Sequence, residues 1–185
     1  MKTMDMRFDI KCLTELLGQE FLKYRCDRFD YTNSVTGNVG LFIGDKVFLL
    51  ANCQETVDYY GETEDVAVFR MDETETENVK SVFEDVEQID TPVKNKIKSI
   101  KLVNEHQQLF VDEECQYDVW LTRAVVFSFG DNEISFAKDT VPFSEEIMIK
   151  RGYNLTNEIT SEADFLEGWD EEYSPKCSRE IVVIE

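Results

Sequence analysis

Residues 119–129 and 133–137 are two runs of the kind that form paired β-strands. The first run is rich in β-branched and aromatic side chains, and in the second run Ile134 and Phe136 alternate with smaller side chains. Gly130, Asp131 and Asn132 lie between the runs, and these residue types favour turns. The pattern therefore predicts a β-hairpin, and it commits this part of the chain to an antiparallel sheet.

Other segments extend the same pattern. Residues 39–43 and 46–51 flank Gly44 and Asp45, which predicts a second hairpin with a tight turn. Single strands are predicted at residues 6–10, 21–31, 65–71, 146–151 and 179–184. Residues 93–103 fit either a strand or a helix that begins after Thr91 and Pro92. We favour a strand there, because the segments that follow are strands and sequential strands often pair.

Helical spacing is found in three short segments, at residues 14–21, 77–88 and 163–169. In the second of them Val79, Val82, Phe83 and Val86 would share one face of an amphipathic helix with an acidic outer face. The chain as a whole is predicted to have an α+β fold, predominantly antiparallel β-sheet with two or three short helices. With 3 Pro and 8 Gly in 185 residues it has no flexible linker, so we expect a single domain over residues 1–185, with a candidate sub-boundary near residues 91–92.

The net charge excludes several classes of partner. The chain carries 19 Lys and Arg against 39 Asp and Glu, a formal charge of −20. Direct binding to nucleic acid or to an anionic membrane needs clustered basic residues, so neither is expected. No apolar run approaches the length of a membrane span, and the acidic N-terminal segment does not resemble a secretory signal. We therefore expect a location in the cytosol, of a bacterial host in particular.

The residues of common catalytic sites are sparse. The five cysteines are widely spaced with no C-x-x-C pair, which predicts reduced thiols and no zinc site. His106 is the one histidine and is predicted to be structural or exposed rather than a general base. The acidic triplets at residues 112–114 and 170–172 do not converge on a metal from sequence alone. We expect no cofactor, no metal and no enzymatic activity, and keep a carboxylate-metal nuclease as an alternative.

Residues 124–129, 133–139 and 143–147 resemble a segment of small, poorly characterised acidic bacterial and phage proteins. Where those proteins have a Trp before Phe-Ser-Glu, this chain has Val141 and Pro142. In size and charge the chain is similar to anti-defence proteins, meaning anti-CRISPR and anti-restriction inhibitors, and to the immunity proteins of nuclease toxins. The resemblance implies a protein that blocks a basic nucleic-acid enzyme, and it transfers no catalytic residue.

Two segments concentrate the negative charge. Residues 62–90 hold eleven acids and two basic residues, and residues 158–172 hold seven acids and no basic residue. Both have large aromatic residues within or beside them, as a protein interface with buried anchors and steering charges would. The predicted partner-binding residues are Glu73, Glu75, Glu77, Glu84, Asp85, Glu87, Asp164, Glu167, Trp169, Asp170, Glu171 and Glu172.

The favoured partner is a basic nucleic-acid-binding protein, such as a nuclease or a CRISPR effector, whose phosphate-binding groove would attract these acids. The favoured function is therefore a non-enzymatic inhibitor of the anti-defence type, with a toxin-immunity protein as an alternative. A plainer alternative is an acidic interaction domain whose charge serves solubility alone. Self-association through an exposed sheet edge is compatible with each of these functions.

Overall fold

Two antiparallel sheets account for most of the chain. The computed structural model describes residues 3–28, 32–59, 62–138, 141 and 143–185. Within them the strands are β1 (Met4–Met6), β2 (Glu20–Asp27), β3 (Ser34–Thr36), β4 (Asn38–Ile43), β5 (Lys46–Tyr59), β6 (Glu62–Thr74), β7 (Gln88–Lys96), β8 (Ser99–Val111), β9 (Glu114–Ser128), β10 (Glu133–Lys138), β11 (Glu146–Gly152) and β12 (Tyr173–Ile184). The helices are α1 (Lys11–Thr14) and α2 (Ala163–Leu166), with 3-10 turns at Thr76–Asn78 and Leu155–Glu158. The predicted fold class is confirmed.

The strands divide between a five-stranded and a seven-stranded sheet. The first has the order β6-β5-β4-β2-β7 and is antiparallel throughout. The second has the order β12-β8-β9-β10-β11-β3, and β1 adds to β9 as the one parallel pair among the described strands. Both predicted hairpins are present, as β4–β5 and β9–β10. Gly44 has φ +60 at the first turn position of β4–β5, where an L side chain would be strained.

One apolar core lies between the two sheets. Phe21 of β2 and Phe127 of β9 are both fully buried, and their rings meet edge to face at 5.2 Å between centroids. Tyr24 of the five-stranded sheet meets Phe136 of the seven-stranded sheet in the same way at 5.7 Å. Because side chains alternate along a strand, the seven-stranded sheet has an outer face that points away from this core. That outer face holds the candidate pocket described below.

The prediction of a helix at residues 77–88 is wrong. The chain there makes a single 3-10 turn and then an irregular loop up to β7. Val79 is buried, but Val82, Phe83 and Val86 are exposed, so no apolar stripe is packed against the sheet. A Cβ on Gly40 would lie 2.3 Å from Val79 and one on Gly37 would lie 2.5 Å from Val82, so the loop meets two glycines closely rather than packing along a helical face.

The N-terminal segment also differs from expectation. The predicted strand at residues 6–10 is displaced to β1, and the predicted helix at residues 14–21 is replaced by the single turn of α1. Gly18 has φ +76 and turns the chain, so that Phe21 already belongs to β2. Residues 29–31, the end of the strand predicted at 21–31, lie outside the described residues.

The strand prediction for residues 93–103 is confirmed, but the segment forms two strands. β7 ends at Lys96 and β8 begins at Ser99. Thr91 and Pro92, the candidate sub-boundary, lie inside β7, where Pro92 pairs with Lys23 beside an irregularity in the β2–β7 pairing. β7 is the last strand of its sheet, and a strand at an edge tolerates a residue that cannot donate a backbone hydrogen bond.

The other strand predictions, at residues 65–71, 146–151 and 179–184, are confirmed by β6, β11 and β12. The acidic helix predicted at residues 163–169 is confirmed in part, because α2 ends at Leu166. The triplet at residues 112–114 is the end of a hairpin. Asp112 and Glu113 have φ of 48 and 68 and connect β8 to β9 in two residues.

The β8–β9 turn provides a stability test. Both of its residues occupy the left-handed region, which costs a non-glycine residue roughly 1–2 kcal/mol. We expect Glu113→Gly to raise the free energy of unfolding by about 0.5–1 kcal/mol in urea titrations, since relief of strain exceeds the added entropy of the unfolded chain. The control Glu114→Gly, one residue later in β9, should destabilise by a similar amount. Equal destabilisation by both variants would contradict the turn geometry.

Candidate functional site

The first acidic segment forms an exposed loop with an apolar tip. Residues 79–87, here called the acidic loop, connect the 3-10 turn at Thr76–Asn78 to β7. Val82, Phe83 and Val86 are 44%, 56% and 39% exposed. They alternate with the exposed acids Glu84, Asp85 and Glu87. Three large apolar side chains in contact with water within one short loop are typical of a recognition surface.

The base of the acidic loop is fixed to the five-stranded sheet. Val79 is buried against the backbone of Gly40 in β4. Ser81 donates a hydrogen bond from its hydroxyl to Asp27 of β2 at 2.6 Å. The exposed side chains at the tip of the acidic loop therefore project from a base that is fixed to the sheet.

The predicted interface residues of the first segment lie on three elements. Glu73 is on β6 and pairs with Lys46 at 2.8 Å, and Glu87 pairs with Arg28 at 3.3 Å. Both pairs are exposed, so each stabilises the fold by at most about 1 kcal/mol. Binding of a partner could therefore break either pair at little cost. The remaining residues are exposed: Glu75 and Glu77 at the 3-10 turn, and Glu84 and Asp85 in the acidic loop.

The second acidic segment covers a buried charged group on the outer face of the seven-stranded sheet. Glu105 of β8 is 2% exposed and is paired with Arg179, which lies opposite it on β12. Gln107 donates a hydrogen bond to the same carboxylate at 2.9 Å. Arg179 also donates to the backbone carbonyl of Thr160. The carboxylate of Glu105 thereby helps to fix the segment before α2 to the sheet.

Arg123 joins this group through a β-bulge. Thr122 pairs with Asn104 and Ala124 pairs with Val103, so Arg123 has no partner residue on β8. Its side chain is 6% exposed, and its Nε lies 3.8 Å from Oε1 of Glu105. A bulge reorients a side chain without disturbing the strand on either side, and here it brings a second guanidinium to Glu105.

A pocket of about 550 Å³ opens above these side chains. Its floor contains Glu105, Gln107 and Arg123, and its wall is the segment that carries α2. Phe165 and Trp169 provide aromatic surface on that wall. This volume is in the range of small-ligand sites, and a mixture of aromatic wall and polar floor is typical of them.

Stacked rings hold the wall in place. Phe165 stacks on Tyr117 of β9 at 6.0 Å and meets Trp169 edge to face at 5.6 Å. The indole of Trp169 donates to the backbone carbonyl of Phe165 at 2.6 Å and packs on Tyr173. Trp169 is nevertheless 42% exposed, so part of its ring faces solvent.

The structure brings together half of the residues predicted from the second segment. Asp164, Glu167 and Trp169 line the pocket and are exposed, which places them at its mouth. The described residues form no hydrogen bond or ion pair with the carboxylates of Asp164 and Glu167. The other predicted residues are exposed and do not line the pocket: Asp170, Glu171 and Glu172.

The residues of the pocket floor were not predicted. Glu105 and Arg179 are 74 positions apart in the chain, and only the β8–β12 pairing makes them neighbours. Arg123 lies in a run of strand-forming residues, and its bulge is defined only by the pairing with β8. One signal was available, because a charged residue within an apolar strand is seldom buried without a partner.

His106 lies on the face of β8 opposite to Glu105. Its Nε2 is 2.6 Å from Asp118, and its ring stacks on Trp120 at 4.5 Å. Burial opposes ionisation of Asp118, but hydrogen bonds from His106 and Thr3 outweigh it, so the pKa of Asp118 lies below its ordinary value. The ring of His106 is thus held between a carboxylate and an indole.

Lys138 is a buried cation that points towards the core. Its side chain is on the face of β10 that Ile147 shares, and its ammonium donates to the carbonyl of Ala67 at 2.5 Å. Burial, with a further contribution from the charge of Arg123, lowers the pKa of Lys138 to about 7. Burial likewise raises the pKa of the free thiols of Cys26 and Cys177 to about 12, so they are poor nucleophiles at neutral pH.

The described residues contain no group of three His, Cys, Asp or Glu side chains arranged to hold a metal ion. Neither helix in that part of the chain has the length and apolar character that a membrane crossing needs. No family model matches the chain, and no match to it is found among curated proteins or solved structures. The acidic loop and the pocket are therefore the two features of the molecule that bear on its function.

Glu105 supports a stability prediction. Glu105→Gln removes the negative charge that faces two largely buried guanidinium groups, and breaking a buried pair such as Glu105–Arg179 costs roughly 3–5 kcal/mol. We expect urea unfolding to show a loss of about 3 kcal/mol. The matched control Glu180→Gln, on an exposed site of β12, should change stability by less than about 0.5 kcal/mol. Similar small losses for both variants would show that the Glu105 network contributes little.

Lys138 supports a pH prediction. Its pKa in the folded state is about 7 against an ordinary 10.5, so between these values the unfolded chain holds a proton that the folded chain has released. Stability contributed by this group therefore rises with pH across that window and is constant below pH 7. We expect Lys138→Met to be more stable than the wild type at pH 7, and this advantage should shrink towards pH 10. An advantage that is constant with pH would contradict the assignment.

Proposed function

We propose that this protein is a non-enzymatic inhibitor that binds a basic nucleic-acid-handling protein, of the anti-defence type carried by phages and mobile elements. The observation that supports this proposal best is the tip of the acidic loop. There Val82, Phe83 and Val86 are exposed between Glu84, Asp85 and Glu87. Buried apolar anchors supply most of the affinity of an interface, and surrounding charges select and steer the partner.

The net charge of −20 indicates which partner would gain most. A groove that binds DNA or guide RNA places lysines and arginines where phosphates lie, so carboxylates can replace phosphates there. The anchored base of the loop favours tight binding, since less conformational freedom is lost when a preorganised loop binds.

The test uses the protein as bait in a bacterial lysate, with a loop variant and a matched control. The loop variant is Phe83→Ala with Glu84→Gln and Asp85→Asn, and Asn is well tolerated at the φ of 60 that Asp85 adopts. The control is Tyr153→Ala with Asp131→Asn and Glu114→Gln, which removes one exposed aromatic ring and two charges elsewhere.

We expect the wild type and the control to retain a basic nucleic-acid-binding protein at low salt and to release it at about 0.5 M salt. The loop variant should retain at least about tenfold less, in line with the loss of an interface hot spot. The purified target should then lose nucleic-acid binding or cleavage when one equivalent of the wild type is added. Capture that the loop variant does not reduce, or a target whose activity is unchanged, would refute the proposal.

A further inference from the structure

The pocket beside α2 has a charge distribution that selects the chemistry of its occupant. Its lining residues carry three carboxylates, those of Glu105, Asp164 and Glu167, and one guanidinium, that of Arg123, a net charge of −2. The positive group is deep and already faces Glu105. The two remaining carboxylates are at the mouth, without a partner among the described residues. An anion would have to pass these carboxylates, whereas a cation would be attracted by them.

The wall adds a surface that suits a planar cation. The rings of Phe165 and Trp169 line the same pocket as Asp164 and Glu167. A guanidinium is flat, weakly hydrated and able to stack on an aromatic ring while it donates hydrogen bonds in its own plane to carboxylates. A lysine ammonium has the same charge, but it is compact and more strongly hydrated.

We propose that this pocket receives an arginine side chain of the basic partner, with the guanidinium between the aromatic wall and the carboxylates of Asp164 and Glu167. This inference rests on the proposed function and adds a second, separate contact to the one made by the acidic loop. A basic nucleic-acid-binding protein supplies such side chains on its surface, so the charge of the pocket and that of the partner are complementary.

The pocket is held open before any partner arrives. Arg179 links Glu105 on the floor to the carbonyl of Thr160 on the wall, and Tyr117 stacks on Phe165 from the sheet side. The indole hydrogen bond from Trp169 to Phe165 fixes the orientation of the exposed ring. An inserted side chain therefore meets a surface that is already ordered, which reduces the entropic cost of binding.

The direct test is a titration followed by the two indole N–H signals of the protein in NMR spectra. N-acetyl-arginine amide is the probe, and the corresponding citrulline compound is its neutral match in shape. The signal of Trp169, assigned with the variant Trp169→Phe, should shift in a saturable way with a dissociation constant in the range of roughly 1–10 mM. The signal of Trp120 is the internal control, because its ring stacks on His106 on the opposite face of the sheet.

Charge-matched variants separate pocket binding from general attraction. Asp164→Asn with Glu167→Gln should weaken binding of the arginine probe at least fivefold. Glu171→Gln with Glu172→Gln removes the same charge from the same segment but outside the pocket, and should change the affinity less than twofold. The lysine analogue should bind more weakly than the arginine probe. The citrulline compound should produce no saturable shift of the Trp169 signal.

Three results would overturn the inference: no saturable shift of the Trp169 signal, equal binding of citrulline and arginine, or equal weakening by the two pairs of variants. The same variants in the lysate experiment keep this outcome apart from failure of the proposed function. If the loop variant abolishes capture but the pocket variant does not, the inhibitor proposal stands and the arginine pocket is wrong. If the probe binds as expected but no target is captured, the pocket stands as a guanidinium site and the inhibitor proposal fails.

Discussion

The contact between Phe21 and Phe127 brings the two sheets together, and the rest of the fold depends on it. Both rings are fully buried and meet at 5.2 Å, and Phe127 continues the cluster to Phe136 at 6.1 Å. Edge-to-face pairs of this kind add to the burial of apolar area. A chain with a charge of −20 repels itself, and this core supplies the opposing term that keeps the two sheets packed.

Because one face of the seven-stranded sheet is committed to that core, its other face is available for polar chemistry. Strict alternation places Glu105 on the outer face and Leu102 on the core face of the same strand. Glu105 can be buried there because Arg179 and Arg123 balance its charge. The acidic loop is anchored to the five-stranded sheet instead, by the contact of Val79 with Gly40 and by the hydrogen bond from Ser81 to Asp27. The two candidate surfaces thus belong to different sheets of one core.

Features that depend on near neighbours in the chain were predicted correctly from the sequence. The predictions failed where contacts between distant residues determine the structure. The hairpin turn at Gly44 follows from local backbone preference, and the short helix near Asp164 follows from local spacing. The helix expected at residues 77–88 did not form, and local contacts of Val79 with Gly40 and of Val82 with Gly37 take the place of an apolar stripe. Asp164 and Glu167 were predicted as interface residues from the local charge and Trp169 as an aromatic anchor beside them, and the structure places all three around one pocket. The pocket floor could not be predicted, since a pairing 74 residues apart creates it.

The bulge at Arg123 behaves as a one-residue insertion between Thr122 and Ala124 of β9. Leu121 shares the outer face with Glu105, Thr122 faces inward to receive a hydrogen bond from the backbone of Phe8, and Val125 is again part of the core. If Arg123 were deleted, the alternation from Thr122 to Ala124 would continue unbroken, and every core side chain of β9 would keep its side. The sheet therefore does not need this residue. What the insertion adds is one guanidinium beneath the pocket, so selection on Arg123 would act through the pocket and the charge balance of Glu105, and hardly through the pairing of the strands.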